Sequence, residues 1–382
     1  MTKEKTKDLF FGVDLHIHTP ASSCYKGPRT DDEYLAILRR CITNDIKIIA
    51  ITDHNTIKGY RKLIGIQKEL KNKLKLLVDL VEKYPDLKRE HLEVKCNLEL
   101  FDKLLILPGI EFEANPGIHI LLIFKPDINI DTIDLFLAES GYPEDLQGIE
   151  NPEVIPKLDV LQLLIEADRL NALVIAAHAD SDKGIYDSLS GKYRASVFSS
   201  SYLHAIAYNS PVTSQKMKEM LQNKSYKREN PIAFIQCSDY HGEGEPGTVI
   251  TYLKLEHLSF DAVYQSLKNP NECVSPTQHP EIINILRQII SDHKTYVFRD
   301  VDSEMQTIKQ TACALLNDGY GTLVIGAVTE PNSNIIGISK NYQQCEQIIN
   351  EIVNSIDPRK IASRDIYLPI RHQTSLSDTI VK

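Results

Sequence analysis

Six histidines and two carboxylates sit at the ends of short apolar runs, dispersed between residues 16 and 241 of a 382-residue chain. The first run ends Asp14-Leu15-His16-Ile17-His18, an H-x-H in which an extended backbone sends both imidazoles to one side. The second ends Ile51-Thr52-Asp53-His54 and the third Pro108-Gly109-Ile110-Glu111. His119 opens the run Ile118–Phe124, His178 follows Ala176-Ala177, and Ser238-Asp239-Tyr240-His241 follows Ile232–Cys237. Imidazole and carboxylate with almost no thiol form a donor set for Zn²⁺, Mn²⁺ or Fe²⁺. One such ion takes about four to six ligands, so these donors imply two divalent ions, or three when water and substrate complete the shells. Glu111 is the natural carboxylate bridge between two of them. A cluster of this kind suits phosphoester hydrolysis: one cation brings the pKa of a water toward neutrality, and the others hold the phosphate and the leaving oxygen.

Such donors meet only if the elements between them bring the run ends together. The runs Phe10–Ile17, Ile46–Thr52, Leu104–Ile110, Ile118–Phe124, Leu173–Ala177, Ile232–Cys237 and Val249–Leu255 are rich in Ile, Leu and Val and bounded by polar residues, Gly or Pro. Near-continuous apolar runs of this length read as strands buried on both faces, as in a parallel sheet. Helical stretches separate most of them. One opens at Asp31-Asp32-Glu33, acids that the N-terminal helix dipole favours. Residues 56–104 hold two Lys/Glu-rich helices broken near Pro85, and Leu158–Leu170 is amphipathic. Strand–helix alternation repeated this often predicts an α/β barrel, whose carboxyl strand ends converge on one face. The remaining histidines, His91, His204, His257, His279, His293 and His372, are expected in ordinary surface or core roles.

Forty-three Lys and Arg against 52 Asp and Glu leave a formal charge of −9, and 42% of the residues are hydrophobic. That composition excludes a collagen-like, disordered or disulfide-scaffold protein. No apolar run approaches the ~18 residues of a membrane span. The charged start Met1-Thr2-Lys3-Glu4-Lys5 leads into no apolar signal segment. The seven cysteines form no C-x-x-C, so reduced thiols and a cytoplasmic location are expected. The acidic balance argues against a protein that coats nucleic acid. A nucleic-acid substrate would have to be drawn locally, by a basic groove or by bound cations.

The series H-x-H, T-D-H, G-x-E, H, H and S-D-x-H, over residues 10–265, resembles the PHP (polymerase and histidinol phosphatase) superfamily of metal-dependent phosphoesterases. The resemblance implies a distorted (β/α)7 barrel with a trinuclear site. It implies that His16 and His18 hold one metal with Glu111 and Asp239, that Glu111 bridges to a second held by His119 and His178, and that His54 and His241 bind a third. The family places a further ligand, His or Asp, several residues past H-x-H. Cys24 stands there in this chain, either as a thiolate ligand or as an ordinary buried thiol. Asp53 is placed to bind metal, to orient a ligand or to move a proton. Lys183 and Arg194 follow the His178 run on the same barrel face, as grips for substrate phosphate or as solvated loop cations. The Lys-rich stretch from Lys58 to Lys75 is expected to be a solvated helix face.

Asn269–Pro280 carries three prolines and no periodicity, which divides the chain into a barrel over 1–275 and a second domain over 285–382. The second domain is a small α/β unit with a helix at Ser303–Leu316, a strand at Thr322–Val328 and a helix around Tyr342–Ile356. Its Thr311–Gly326 stretch, with Gly319-Tyr320-Gly321, and the following Ile335-Ile336-Gly337-Ile338 resemble the Schlafen-type AlbA-like domain. The glycine turn either cradles a phosphate or is ordinary architecture. The family's adjacent glycines and upstream acid are replaced by Gly319-Tyr320-Gly321 and Val297-Phe298-Arg299, which favours a nucleic-acid-, nucleotide- or partner-binding appendage over a nuclease. The chain stops at Thr379-Ile380-Val381-Lys382, where a further strand begins, pointing to a longer protein or to a module completed by a protein partner. The expected function is a nuclease-like metal-dependent phosphoesterase acting on a nucleic acid or nucleotide, with a role in defence against mobile elements. Two alternatives stand beside it: a small-molecule phosphatase of the histidinol-phosphate type, and a non-catalytic, metal-stabilised binding scaffold.

Overall fold

A computed structural model describes residues 10–150, 156–247 and 249–276. In the C-terminal part it describes residues 295–298, 301–317, 322–325, 327–328, 334–335, 347, 350–352, 366–367 and 380–381. The chain divides into two units, residues 1–278 and 279–382.

The first unit is built on one nine-stranded sheet. Its strands are β1 Phe10–Ile17, β2 Ile46–Ile51, β3 Leu105–Ala114, β4 Ile118–Ile123, β5 Leu173–Ala176, β6 Ala205–Ala207, β7 Ala233–Ile235, β8 Thr251–Lys254 and β9 Val274–Ser275, in the order β7-β6-β5-β4-β3-β2-β1-β8-β9. Between them lie α1 Asp31–Thr43, α2 Lys58–Val81, α3 Lys88–Lys103, α4 Ile130–Glu139, α5 Val160–Arg169, α6 Gly191–Ser199, α7 Pro211–Met220, α8 Phe260–Lys268 and the single turn α9 Pro270–Cys273. The sheet is mixed rather than parallel throughout. Strands β1, β2 and β3 run parallel, as do β5, β6 and β7, but β4 is antiparallel to both neighbours and β8 is antiparallel to β1. The cause is local: only Asn115-Pro116-Gly117 joins β3 to β4, with Gly117 at φ +99°, and a link so short can make a hairpin but not a crossover.

The sheet curls until its far edges meet. After β7 the chain returns to β1, where Ile17 pairs with Tyr240 and the His18 amide donates to the Tyr240 carbonyl at 2.9 Å. At the other end of the strands β8 fills the seam: Thr251 Oγ1 accepts the Gln236 amide at 2.7 Å and donates to the Gln236 carbonyl at 3.2 Å. Alternate strand residues divide between two cores. Val13, Leu15, Ile48, Ala50, Leu107, Leu121, Ile175 and Leu253 fill the inside. Ile49, Ile51, Ile110, Phe112, Ile120 and Leu122 face outward against Leu38 of α1, Leu63 of α2, Leu137 of α4 and Leu163 of α5. Burial on both sides is why these strands read as continuous apolar runs.

The basic stretch of α2 is solvent-exposed at Lys68, Lys71, Lys73 and Lys75. The α2–α3 hairpin packs on the barrel only at its base, through Leu63, Ile66, Leu100 and Phe101. Between Lys71 and Glu99 only Leu77 and Val94 are buried. In the second unit β10 Thr295–Phe298 pairs in parallel with β11 Thr322–Ile325, and α10 Val301–Asn317 lies between them in sequence. Phe298, Ile308, Ala312 and Ile352 form its apolar cluster. The helix expected at Ser303–Leu316 is present within Val301–Asn317, and the strand expected at Thr322–Val328 is present as Thr322–Ile325 and Ala327–Val328. The glycine turn Gly319–Gly321, most of the helix around Tyr342–Ile356 and the linker over 277–294 lie outside the described residues. No helix among the described residues is long and apolar enough to cross a membrane.

His204, at the entry to β6, tests how this end of the barrel is held. Its Nδ1 accepts the Val174 amide at 3.0 Å and its ring packs 5.0 Å from that of Tyr264. Burial, with Lys268 and Arg228 nearby, holds its pKa down at about 4. Between the ordinary 6.5 and that value the unfolded chain takes up a proton that the folded chain refuses, so stability falls as the pH drops across the window. His204→Asn keeps an acceptor and cannot titrate. Urea unfolding is expected to show wild type losing roughly 2–3 kcal/mol more than this variant between about pH 7 and pH 4.5. Parallel decline of the two proteins would refute the assignment.

Candidate metal centre

All eight strand-end donors gather at one end of the barrel. β1 delivers His16 and His18. Pairing of the segment after β2 with β3 sets His54 beside Glu111, and closure through Tyr240 sets Asp239 and His241 beside β1. His119 belongs to the antiparallel β4, opposite Glu113 of β3. Because β4 runs the other way, the residue that opens it lies at the same end as the residues that close its neighbours. The Ala177 amide donates to the His119 carbonyl at 3.2 Å, which holds His178 at the same level.

Glu111 is the centre of the group. Its Oε2 lies 3.2 Å from Nε2 of His16, 3.2 Å from Nε2 of His18 and 3.0 Å from Nδ1 of His54. Its Oε1 lies 2.8 Å from Nδ1 of His119 and 3.0 Å from Nε2 of His178. Asp239 Oδ1 faces His16, His18 and His241 at 3.2, 3.5 and 3.5 Å. His16, His18, His54, Glu111 and His119 are at most 2% exposed, whereas Asp239, His241, His178 and Cys24 form the solvent side. Burial opposes ionisation of Glu111, yet His119, His16 and His54 outweigh it and hold the carboxyl well below its usual range. Burial likewise opposes charge on Asp239, and His16 and His18 bring its carboxyl down. The same pairing overcomes burial at His18, pushed up to about 10, and at His119, pushed up to about 9. At His241 burial prevails and the pKa falls to about 4.

The donors fit divalent cations. His54 Nδ1 and Nε2, Glu111 Oε2, His119 Nε2 and Asp239 Oδ1 are buried without a hydrogen bond, and each such atom costs about 1–3 kcal/mol if nothing else satisfies it. Their ligating atoms fall into three sets, each within 4.8 Å: His16, His18 and Asp239; His54, Glu111 and His119; and His18, Cys24, His54 and His241. The second set contains His54 where the family pattern implies His178, although His178 reaches the same carboxylate.

A layer of polar groups behind the donors fixes them. Asp53 is fully buried and accepts from the Thr19 amide at 2.7 Å, the Thr19 hydroxyl at 2.8 Å and the Ser22 hydroxyl at 2.7 Å. Because Ser22 gives its proton to Asp53, its oxygen can only accept from His18 Nδ1 at 3.2 Å and from the His54 amide at 3.1 Å. Asp53 is thus bonded to Thr19 and Ser22 and reaches the His18 ring only through the Ser22 hydroxyl. Asp14 accepts the amides of His16, Ser238 and Gly247, tying β1 to the Asp239 segment. The E-F-E alternation puts Glu113 on the same strand face as Glu111, with its Oε2 at 3.8 Å from His119 Nε2. That period was the available sign for Glu113; Ser22, Thr19 and Asp14 carried none. Lys183 stands at the edge of the site, 3.6 Å from Glu150, and draws the Glu113 carboxyl down along with His119. Arg194 is bonded to the Tyr186 carbonyl and the Tyr226 hydroxyl, so the structure brings it to those groups and not to the cluster. Burial, with Glu150, Glu111 and Asp53, pushes the Cys24 thiol up to about 12.

Backbone conformation serves the same end. His178, Asp239 and Asn55 have φ of +24°, +51° and +48°, left-handed values that cost a non-glycine residue about 1 kcal/mol or more. Gly59 in the first turn of α2 allows the opposite economy of space: a methyl there would overlap Asp53 Oδ2 and Thr19 Oγ1. Gly59→Ala is expected to lower the unfolding free energy by about 1–3 kcal/mol. Gly65→Ala in the same helix, where a methyl meets nothing within 4 Å, is expected to raise it by about 0.5–1 kcal/mol. Equal effects in urea titrations of the two variants would contradict the packing of Asp53 on α2.

Comparison with curated proteins finds no match. Among solved structures, the lesion-specific endonuclease PfuEndoQ from Pyrococcus furiosus is 14% identical, with a TM-score of 0.47 over 69% of this chain and 57% of its own. Endonuclease Q in complex with a 27-mer duplex bearing an abasic lesion is 12% identical, with a TM-score of 0.47 over 69% of this chain and 58% of that one. A protein described as a candidate metal-dependent phosphoesterase from Bifidobacterium adolescentis is 14% identical, with a TM-score of 0.42 over 67% and 96%. The chain thus spans little more than half the length of the endonuclease Q chains it resembles. Residues 291–380 match the family described as Schlafen, AlbA_2. The C-terminal stretch over residues 291–380 is therefore similar to the Schlafen, AlbA_2 family.

Proposed function

We propose that this protein is a metal-dependent phosphoesterase acting on a nucleic acid or nucleotide, with two to three Zn²⁺, Mn²⁺ or Fe²⁺ ions held by His16, His18, His54, Glu111, His119, His178, Asp239 and His241. The observation that carries the reading is the reach of one buried carboxylate, Glu111, to five imidazoles at 2.8–3.2 Å, with buried ring nitrogens of His54 and His119 left without a hydrogen bond. Bound divalent cations would supply charge for the phosphate and an acidified water at this point. The chain's own groups do the positioning. Ser22 and Asp53 keep a proton on His18 Nδ1, so that Nε2 is the nitrogen that faces the cluster and the one that would give up its proton to a bound cation. Glu111 and Asp239 stay ionised. Lys183, at the open edge beside Glu113, is the cation placed to meet a phosphate oxygen. Chemistry belongs to the domain at 1–275, and recognition of the nucleic acid, or of a protein partner, to the domain at 285–382.

The test is a panel of single-stranded DNA, RNA, tRNA and a chromogenic phosphomonoester with Mn²⁺, Zn²⁺ or Mg²⁺. Wild type is expected to hydrolyse at least one nucleic acid or nucleotide with the metal present and to lose activity on chelation. His16→Ala and Asp239→Ala are each expected to lose at least about 100-fold in rate. Full activity in both variants overturns the reading, and turnover confined to the small phosphomonoester overturns its substrate class.

A further inference from the structure

The PHP-like pattern supplies imidazole and carboxylate throughout, but one of the three donor sets among the described residues contains sulfur. We propose that Cys24, with His54 and His241, makes the outermost cation position a thiolate site selective for thiophilic ions of the zinc class, so that the centre binds two chemically different kinds of metal. The proposal rests on the metal-binding reading of the cluster and not on the phosphoesterase activity.

Geometry places the three donors together. Their ligating atoms, with one from His18, all lie within 4.8 Å of one another. His18 also belongs to the set with His16 and Asp239, so Cys24, His54 and His241 are the donors that the outer position does not share with that one. His54 is 2% exposed; its Nδ1 faces Glu111, and its Nε2 is buried without a hydrogen-bond partner. His241 Nδ1 lies 2.7 Å from the Asp239 carbonyl, which can only accept. The proton must therefore sit on Nδ1, which leaves the Nε2 lone pair for a cation.

The loop that carries Cys24 is fixed by the same two histidine segments. The Ser23 amide donates to the Gly148 carbonyl at 2.6 Å, and the Gly148 amide donates to the His54 carbonyl at 2.9 Å. On the other side the Lys26 amide donates to the His241 carbonyl at 2.8 Å. Cys24 is thus held between the backbones that bear its two partners. One sulfur and two or three imidazole nitrogens make a tetrahedral-type set favouring Zn²⁺, Co²⁺ or Cd²⁺, whereas Mn²⁺ and Mg²⁺ prefer the oxygen-richer positions around Glu111 and Asp239.

Cobalt is the probe. Metal-stripped full chain titrated with Co²⁺ is expected to develop thiolate-to-cobalt charge-transfer absorption in the near ultraviolet. Cys24→Ser should lose that band while keeping visible cobalt bands from the other positions, and should lose at least about 10-fold in zinc affinity at one site. Cys24→Asp should regain metal there with Mn²⁺ in place of Zn²⁺. Zn²⁺, but not Mn²⁺, should protect Cys24 from iodoacetamide, followed by peptide mapping to separate it from the other thiols. If wild type and Cys24→Ser bind cobalt with the same near-ultraviolet spectrum, the thiolate site is wrong and the metal centre stands. If neither binds cobalt, the metal-centre reading itself fails.

Discussion

A carboxylate without solvent at the mouth of an apolar barrel is stable only if opposite charge surrounds it, and Glu111 is such a carboxylate. Five imidazoles converge on it from four different strand ends. Most of the architecture can be read as the means of that convergence. The β3–β4 hairpin brings His119 across from the same strand that bears Glu111; β2, parallel to β3, brings His54, and β5, antiparallel to β4, brings His178. The two free edges of the sheet must then be joined before Asp239 and His241 arrive. Removing any one imidazole leaves the carboxylate less compensated, so the donors depend on each other as parts of one charge balance.

Behind this balance stands a layer that decides which atom of each donor faces inward. The single proton of the Ser22 hydroxyl goes to Asp53, and that choice passes through the serine oxygen to His18. Asp14 performs a related task with backbone amides, holding the closing segment against β1. Left-handed backbone at His178 and Asp239 shows that the chain accepts local strain to aim these side chains. Metal sites depend on such supporting contacts nearly as much as on the ligands themselves.

Much of this was legible in the amino-acid sequence because burial on both faces writes strands as apolar runs: Phe10–Ile17 is at once a run and a strand. The donors were legible because His and acids at the ends of such runs have few structural uses. Strand direction was not legible. Ile118–Phe124 reads the same either way, and only the brevity of Asn115-Pro116-Gly117 and the place of His119 at its start hint that β4 is reversed. Ala205–Ala207 escaped because three residues carry no period. Ser22 and Asp14 escaped because a single hydroxyl or acid acquires its role from partners distant in sequence, in the case of Asp14 and Gly247 more than two hundred residues away. Arg194 shows the reverse: a cation in a suggestive loop whose partners, Tyr186 and Tyr226, were invisible until the chain was folded.

The closure of the barrel through Ile17 and Tyr240 also sets an order in time. Some 225 residues separate His16 from His241. At ribosomal speeds of about 5–20 residues per second, roughly 10–45 s pass between synthesis of the first donor and synthesis of the last. Throughout that interval β1 has neither its Tyr240 pairing nor its β8 neighbour, and Glu111, once made, lacks its full ring of partners. The long-range pairing that completes the wall is thus the same event that completes the charge balance, so a nascent chain cannot own the finished site before it owns the finished barrel.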